Sequence, residues 1–517
     1  MRTYSLKKGL AASLVALAAA AFAAAFTARL FSHGRFLAID LGVSRYGSAD
    51  GLLPALLVFL AVQLLLAPLL WRAYARKSHA QLMAPGLYHY YDTKKFGARR
   101  LHLRVERDGS AILMVDAYRV IHLNATAAAM VKYFLDDFPR RETRVRLADA
   151  FRVRRAQAER DYRETLEKID LLVNRADVCP LTYYGIEPIA AFQTPVSAPY
   201  RMDLALTYRC NINCGHCYNQ RRESAELGTD EWRRIIRTLW EHGVPHVDFT
   251  GGEPTLRDDL ADLVTFAEDL GAITGLLTNG VRLADKEFVR RLQQAGLDYA
   301  QVTLESARAD VHDRMVGAEA HALTVQGIRN LAEAGIHVLT NTTITRANRD
   351  GIEEIVPFLK GLGTSSFAVN SIIRAGRSRH VDRGLGEEEL LPLLRRLRQL
   401  AGDHGMKFIW YTPTQYCRLN PVENDLGVKQ CTAGKYNMAV EPDGTVIPCQ
   451  SFFRPLGNIL HDPFATIYGH DFLAALRGRE WVMEKCRDCE WLPTCGGGCP
   501  LQCTGDSFCC PDCSSNP

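Results

Sequence analysis

Three cysteines, Cys210, Cys214 and Cys217, stand in the pattern CxxxCxxC. Thiolates this close can hold three irons of a 4Fe–4S cube and leave the fourth iron open to another ligand. Zinc is the competing metal, but a structural zinc site wants four protein ligands. The fourth would have to be His216, which lies between two of the cysteines in one tight turn. Further on, Thr250-Gly251-Gly252-Glu253-Pro254 joins two glycines to a carboxylate. Glycines let a backbone approach a ligand closely, and a carboxylate can accept from an ammonium.

The chain holds 15 cysteines, and all but Cys179 lie at or after Cys210. Ten of them fall between Cys431 and the C-terminus. An odd count in tight clusters, with Cys509 and Cys510 adjacent, argues against a disulfide framework. Ligation in a reducing compartment accounts for it better. Cys431 is followed by Gly444 and Cys449, then by Cys486-x2-Cys489-x5-Cys495-x3-Cys499, with Cys503, Cys509, Cys510 and Cys513 beyond. Such paired spacings mark metal sites, a zinc ribbon being the simplest. Residues 439–448, AVEPDGTVIP, spell a hairpin turning at Asp443-Gly444 that would carry Cys449 back towards Cys431.

The elements that must position these residues are legible as an alternation. MDLALTY, HVDFTGG, ITGLLTNG, YAQVTLES, IHVLTNTTIT and SFAVNSII are apolar runs between residues 202 and 373, separated by helical stretches such as 229–242, 260–270 and 285–295. Repeated βα units predict an α/β fold with a parallel sheet curved into an open, partial (β/α)6 TIM-like barrel. Chemistry in such barrels sits at the C-terminal ends of strands. Cys210 follows the first strand and Gly251 the second; Asn279 ends the third, and Thr303 and Ser306 the fourth.

Before the barrel, residues 101–115 read as two strands joined at Asp108-Gly109. Asn124 then caps a helix over AAAMVKYFL, and two more helices follow. The arrangement is winged-helix-like. Acidic residues interleave with its arginines, so it presents a solvated face rather than a surface for nucleic acid. Net charge, +4 over 517 residues, gives no field for nucleic acid either. At the N-terminus, residues 9–28 and 51–71 are apolar runs of about the 20 residues that cross a bilayer. Arg2, Lys7 and Lys8 precede them and Arg72, Arg76 and Lys77 follow. A transmembrane hairpin with both flanks in the cytoplasm is expected, in the cell membrane with the catalytic part facing the cytoplasm. A cleavable signal peptide is the alternative.

The cysteine motif with the Gly-Gly-Glu-Pro element resembles the radical S-adenosylmethionine superfamily. That resemblance implies that the open iron binds the amino and carboxylate groups of S-adenosylmethionine, that Glu253 contacts the methionine amine, and that Asn279, Thr303 and Ser306 lie near the ribose. Glu305 stands where Asp is commoner in the family. His216, Gly251 and Gly252 complete the expected cofactor contacts. The tail resembles the SPASM domain, with two auxiliary clusters. By that resemblance Cys431, Cys449 and Cys499 belong to one, with Cys417 able to complete it. Cys486, Cys489 and Cys495 belong to the other, completed by a late cysteine such as Cys510 or Cys513. The small domain, with its LNATAAAMVKYF, looks like the PqqD-like domains that recognise precursor peptides by strand addition.

The expected organisation is two transmembrane helices over 1–80, a peptide-recognition domain over 81–178, a barrel over 195–400 and a cluster domain over 401–517. The expected activity is reductive cleavage of S-adenosylmethionine to a 5′-deoxyadenosyl radical that modifies a ribosomally made peptide by a thioether, a carbon–carbon cross-link or similar. Auxiliary clusters would accept an electron from the substrate or ligate it. A flavodoxin- or ferredoxin-like donor is implied, and the small domain could feed a peptide into the cleft at the strand ends. Two rivals are maturation of a small molecule or folded protein, and a membrane-bound electron carrier. A carrier should have four protein ligands per cluster, and the first motif supplies three.

Overall fold

The computed structural model describes residues 83–91, 95–97, 100–116, 119–174, 196–219, 225–380 and 384–502. The expected transmembrane hairpin lies outside them, as do Cys179, Cys503, Cys509, Cys510 and Cys513. Among the described residues no helix is long and apolar enough to cross a membrane. The chain divides into two units, residues 1–80 and 81–517.

In the second unit, strands β1 (Gly86–Tyr91), β2 (Arg100–Val105), β3 (Ala111–Val115) and β4 (Arg119–Leu123) form an antiparallel sheet in that order. The β2–β3 hairpin turns at Asp108-Gly109 as its sequence predicts, with Gly109 at φ +87°. Strands β1 and β4 flank that hairpin, so the sheet is wider than two strands. Helices α1 (Ala125–Leu135), α2 (Arg140–Phe151) and α3 (Arg155–Asn174) follow. Asn124 caps α1 by accepting from the Ala127 amide at 2.9 Å.

The barrel sheet has, among the described residues, nine strands in the order β11-β10-β9-β8-β7-β6-β5-β12-β13. All six predicted strands are present, as β5 (Arg201–Thr207), β6 (His246–Gly251), β7 (Ile273–Thr278), β8 (Tyr299–Thr303), β9 (His337–Ile344) and β10 (Ser366–Ser371). Each pairs in parallel with the next. β11 (Lys407–Trp410) extends the parallel run on β10, although it lies in the stretch assigned from sequence to the cluster domain. At the opposite edge β12 (Asn437–Val440) pairs in parallel with β5 and antiparallel with β13 (Val446–Ile447), so the cysteine-rich segment continues the barrel sheet.

The helices between strands bury one stripe each. In α4 (Thr229–Glu241) that stripe is Trp232, Ile235, Ile236 and Leu239, all at 1% exposure or less. Burying each contributes roughly 1.5–3 kcal/mol. Helices α5 (Leu260–Leu270) and α6 (Lys286–Gln294) follow the same pattern. Further helices are α7 (Ala309–Val316), α8 (His321–Glu333), α9 (Ile355–Gly361) and α10 (Glu387–Asp403).

The small domain docks on the barrel through β2. Leu101, Leu103 and Val105 face its own core, while Arg100, His102 and Arg104 point the other way and are also buried. Arg100 donates to the Ala272 carbonyl at 2.7 Å and pairs with Glu268 and Asp298. His102 bonds the Gly271 carbonyl at 2.7 Å, and Arg104 donates to Pro199 and Gly243 carbonyls at 3.0 and 3.1 Å. Gly243 and Gly271 lie just beyond α4 and α5, where helix C-termini attract cations. These contacts lie at the starts of β5, β6 and β7. The small domain therefore sits at the opposite end of the strands from the expected cleft, and does not open directly into it.

Candidate functional site

The three cysteines lie on the loop that leaves β5. Glycine makes the base of this loop possible. A Cβ on Gly251 would stand 2.2 Å from the Thr207 carbonyl oxygen, and one on Gly252 would stand 2.2 Å from that of Arg209. Their closest neighbour is thus the stem of the cysteine loop. The Gly252 amide donates to Thr207 O at 2.6 Å and the Glu253 amide to Arg209 O at 2.8 Å, which locks the ends of β5 and β6 together.

The loop itself is tied down from several elements. The Asn213 and Gly215 amides donate to Val316 and Met315 carbonyls at the end of α7. Ile212 packs with Val316 and Ala320, and Cys210 and Cys214 lie against that apolar patch. Asn279 donates to Asn211 Oδ1 at 2.7 Å, and Arg377 donates to Asn213 Oδ1. The Ser378 amide donates to the Cys217 carbonyl at 3.2 Å. Such bonds are each worth about 1 kcal/mol, but together they fix one loop conformation.

His216 is almost fully buried, with 8% of its side chain exposed. Its Nε2 lies 2.8 Å from Glu305 Oε1, and Glu305, fully buried, accepts with its other oxygen from the Thr343 amide at 2.8 Å. The sequence marks Glu305 only as a departure from a commoner residue; its partner lies 89 positions away.

Glu253 is also fully buried, and its oxygens are occupied. Oε1 accepts from Thr255 Oγ1 at 2.5 Å, the Thr255 amide at 3.1 Å and Thr278 Oγ1 at 2.7 Å; Oε2 accepts from the Asn279 amide at 2.8 Å. Burial pushes its carboxyl up, and these bonds oppose the shift. These bonds brace the ends of β6 and β7 against each other. Ser306 accepts from the Arg308 amide at 3.1 Å and Thr303, half-buried, ends β8 opposite Asn341.

The tail brings its cysteines to two places. The β12–β13 hairpin turns at Asp443-Gly444 as expected, with Gly444 at φ +87°. It carries Cys449 to the barrel, where burial and the neighbouring Cys431 push its thiol up to about 12. Burial also raises the thiol of Cys499, reinforced by Cys431 and Cys449. Cys486 is raised by burial, then by Cys417, Cys489 and Cys495, and Cys495 has Cys417 and Cys489 as its thiol neighbours. Cys417 thus acts electrostatically on Cys486 and Cys495. The Tyr416 amide donates to Cys495 Sγ at 3.3 Å, which pins the Cys417 turn there.

A link between the loop and the tail has no signal in the sequence. Tyr218 donates to Gln450 Oε1, and Gln450 donates to Asp203 Oδ2 at 2.9 Å inside the barrel. Residues next to Cys217 and Cys449 are thereby joined by one side-chain contact.

All ten described cysteines are free thiols. Among the described residues, no group of three or more His, Cys, Asp or Glu side chains could hold a metal ion. Each thiolate of an iron–sulfur cube binds its own iron, so its ligands stand wider than those of one ion. A three-thiol loop, backed by an apolar patch, is a donor set of the right softness for that group.

Residues 204–359 match the radical SAM superfamily, and residues 431–490 match SPASM, an iron–sulfur cluster-binding domain. The chain is 31% identical over 342 residues to a PqqA peptide cyclase of Streptomyces rochei, spanning 62% of this chain and 91% of that protein. Among solved structures, SuiB of Streptococcus suis bound to S-adenosylmethionine has a TM-score of 0.60 at 19% identity, over 79% of this chain and 96% of that one. SuiB bound to the precursor peptide SuiA gives 0.59 at 18% identity, over 78% and 96%. At these identities the two structures share the fold.

Proposed function

The chain belongs to the radical SAM superfamily, with a SPASM domain behind its barrel, and we propose that it modifies a ribosomally made precursor peptide by forming a bond within it. One observation carries this: a three-thiol loop at the strand ends of a chain 31% identical to a peptide cyclase over 91% of that protein's length. Cys210, Cys214 and Cys217 would hold the cluster that binds S-adenosylmethionine. When bound, the two supply a one-electron cleavage that yields a radical able to take a hydrogen atom from a substrate. Glu305 orients His216 beside the cysteines, Asn279 fixes Asn211, and Glu253 holds the Thr278–Asn279 turn. Cys431, Cys449 and Cys499 would hold one auxiliary cluster, and Cys486, Cys489 and Cys495 a second.

Three further parts of the proposal rest on different supports. The four-stranded small domain exposes β1 as an edge, where an extended leader peptide can pair, as in a PqqD-like domain. A cavity of about 660 Å³ beside Cys431 is lined by Lys435, Arg477, Arg479 and Arg487 against one acid, Glu480. That balance suits an acidic electron donor of flavodoxin or ferredoxin type. The apolar runs at 9–28 and 51–71 would tether the enzyme to the membrane with its barrel in the cytoplasm.

The test begins with anaerobically reconstituted protein, a reductant and S-adenosylmethionine, which should give 5′-deoxyadenosine. Cys214→Ala should abolish this, since two thiolates cannot hold the cube; normal turnover by that variant would sink the cluster assignment. A short peptide encoded beside the gene should then lose a pair of hydrogens in mass. Cofactor cleavage without any change in such peptides would leave the superfamily and remove the peptide.

A further inference from the structure

We propose that the basic outer side of the small domain, α2 and the turn into α3, docks on an anionic bilayer surface and so turns the strand-end cleft away from the membrane. It rests on the tether proposed above and adds a charge-dependent contact to it.

Charge is spread unevenly along this chain. Residues 140–160 hold eight arginines and three acids, a net +5, while the whole 517-residue chain carries +4. The remainder is therefore close to neutral. The acids that interleave in sequence are mostly engaged inside the stretch. Glu159 accepts from Arg140 at 2.6 Å, and Glu142 lies 3.9 Å from Arg146. Arg141, Arg152, Arg154 and Arg155 are exposed and form no ion pair among the described residues, with Asp149 the one acid left over. Further along α3 the pattern changes, since Arg163 faces Glu167 and Lys168 faces Glu164. The excess is thus confined to α2 and the turn that follows it.

That turn is shaped to present its side chains. Arg152, at φ +55°, closes α2 in the left-handed conformation usual for glycine. The Val153 amide donates back to the Ala148 carbonyl at 3.1 Å, and the Val153 side chain is left 37% exposed between Arg152 and Arg154. An apolar side chain among guanidinium groups suits a bilayer interface, where the first meets the acyl boundary and the others take lipid phosphates. The same chain supplies the bilayer: the apolar runs at 9–28 and 51–71 precede this domain, with Arg72, Arg76 and Lys77 on their flank.

Placement in the fold gives the contact a consequence. Leu101, Leu103 and Val105 pack beneath the helices, while Arg100, His102 and Arg104 on the other face of the sheet hold the barrel. The sheet therefore lies between α2 and the barrel. A bilayer against α2 leaves the far ends of the barrel strands, with the cysteine loop, open to a peptide and an electron donor.

The test uses the full chain in nanodiscs of phosphatidylcholine, alone or mixed with phosphatidylglycerol. Each arginine at an anionic surface strengthens attachment by about fivefold, so amide hydrogen exchange over residues 140–156 should slow by about tenfold or more on the anionic discs. High salt should remove that protection. A variant with Arg141, Arg152, Arg154 and Arg155 all changed to Gln should lose it too, while forming 5′-deoxyadenosine at the parent rate. A photo-crosslinking residue at position 153 should give a lipid adduct in cells. Equal exchange on the two lipids, full protection in the four-arginine variant, or an adduct with nucleic acid or another protein in place of lipid would each overturn the proposal. Failure of the chain to enter either bilayer, with protection still induced by added phosphatidylglycerol vesicles, would instead remove the tether and keep the docking face.

Discussion

His216 and Glu305 are the residues whose roles the site makes most specific. A fully buried carboxylate with one oxygen on an imidazole and the other on a backbone amide sets ring orientation, as outer partners of metal-site histidines do. Changing Glu305 to Gln keeps the shape but turns an amide N–H towards one of two donors, losing that bond. We expect 5′-deoxyadenosine formation to fall by about 10–100-fold while iron content stays. His216→Ala should fall similarly, and the double variant little further, because the two act as one unit. Additive losses, or a normal rate in Glu305→Gln, would return the pair to a packing role. Gly251 and Gly252 act differently: any side chain there collides with the backbone of the cysteine loop, so their part is steric.

Among the elements, β2 does two jobs. Its apolar face completes the small domain and its basic face fastens that domain to the barrel. His102 lies in the middle of the basic face, fully buried, and burial lowers its imidazole to about 3. Arg100, His89 and His246 nearby push in the same direction, while the Gly271 carbonyl opposes. The neutral ring is therefore the folded form. Its contribution is complete above the unfolded value near 6.5 and is lost as pH falls from there towards 3. The loss runs at about 1.4 kcal/mol per pH unit, or about 2 kcal/mol at pH 5. Hydrogen exchange of strands β2 and β3, measured at pH 7.5 and 5, should show that weakening. His102→Gln keeps a donor for Gly271 and should flatten the slope. Equal slopes in the two proteins would clear His102 of the effect.

For the whole molecule, every site residue within the described chain belongs to the second unit, which begins at residue 81. Removing residues 1–80 should give a chain that stays in solution without detergent and forms 5′-deoxyadenosine at the full-length rate. In the full chain, a reporter fused after Lys77 should register in the cytoplasm. Loss of cofactor cleavage on truncation would show that the first unit supports the barrel, and an external reporter signal would remove the tether topology. The small domain and the cysteine loop stand at opposite ends of the barrel strands. A peptide held on β1 must therefore run the length of the barrel to react, at roughly 3.3 Å per extended residue.

What the sequence by itself determined is whatever depends on local spacing. Six strands with their helices, both Asp-Gly hairpins, the Asn124 cap and the three-thiol loop follow from periodicity and turn chemistry within a few residues. Only the tertiary structure decided the pairings between distant residues. Glu305 reaches His216, Tyr218 meets Gln450, and the Tyr416 amide meets Cys495, across 89, 232 and 79 positions. What covers the polar side of β2 has no signal in sequence, because alternation says which residues share a side and not what lies against them. Glu253 was legible by its type and place after β6, and its hydrogen-bond partners were not. Four donors brought in by the ends of two strands meet its carboxylate, three on one oxygen and one on the other.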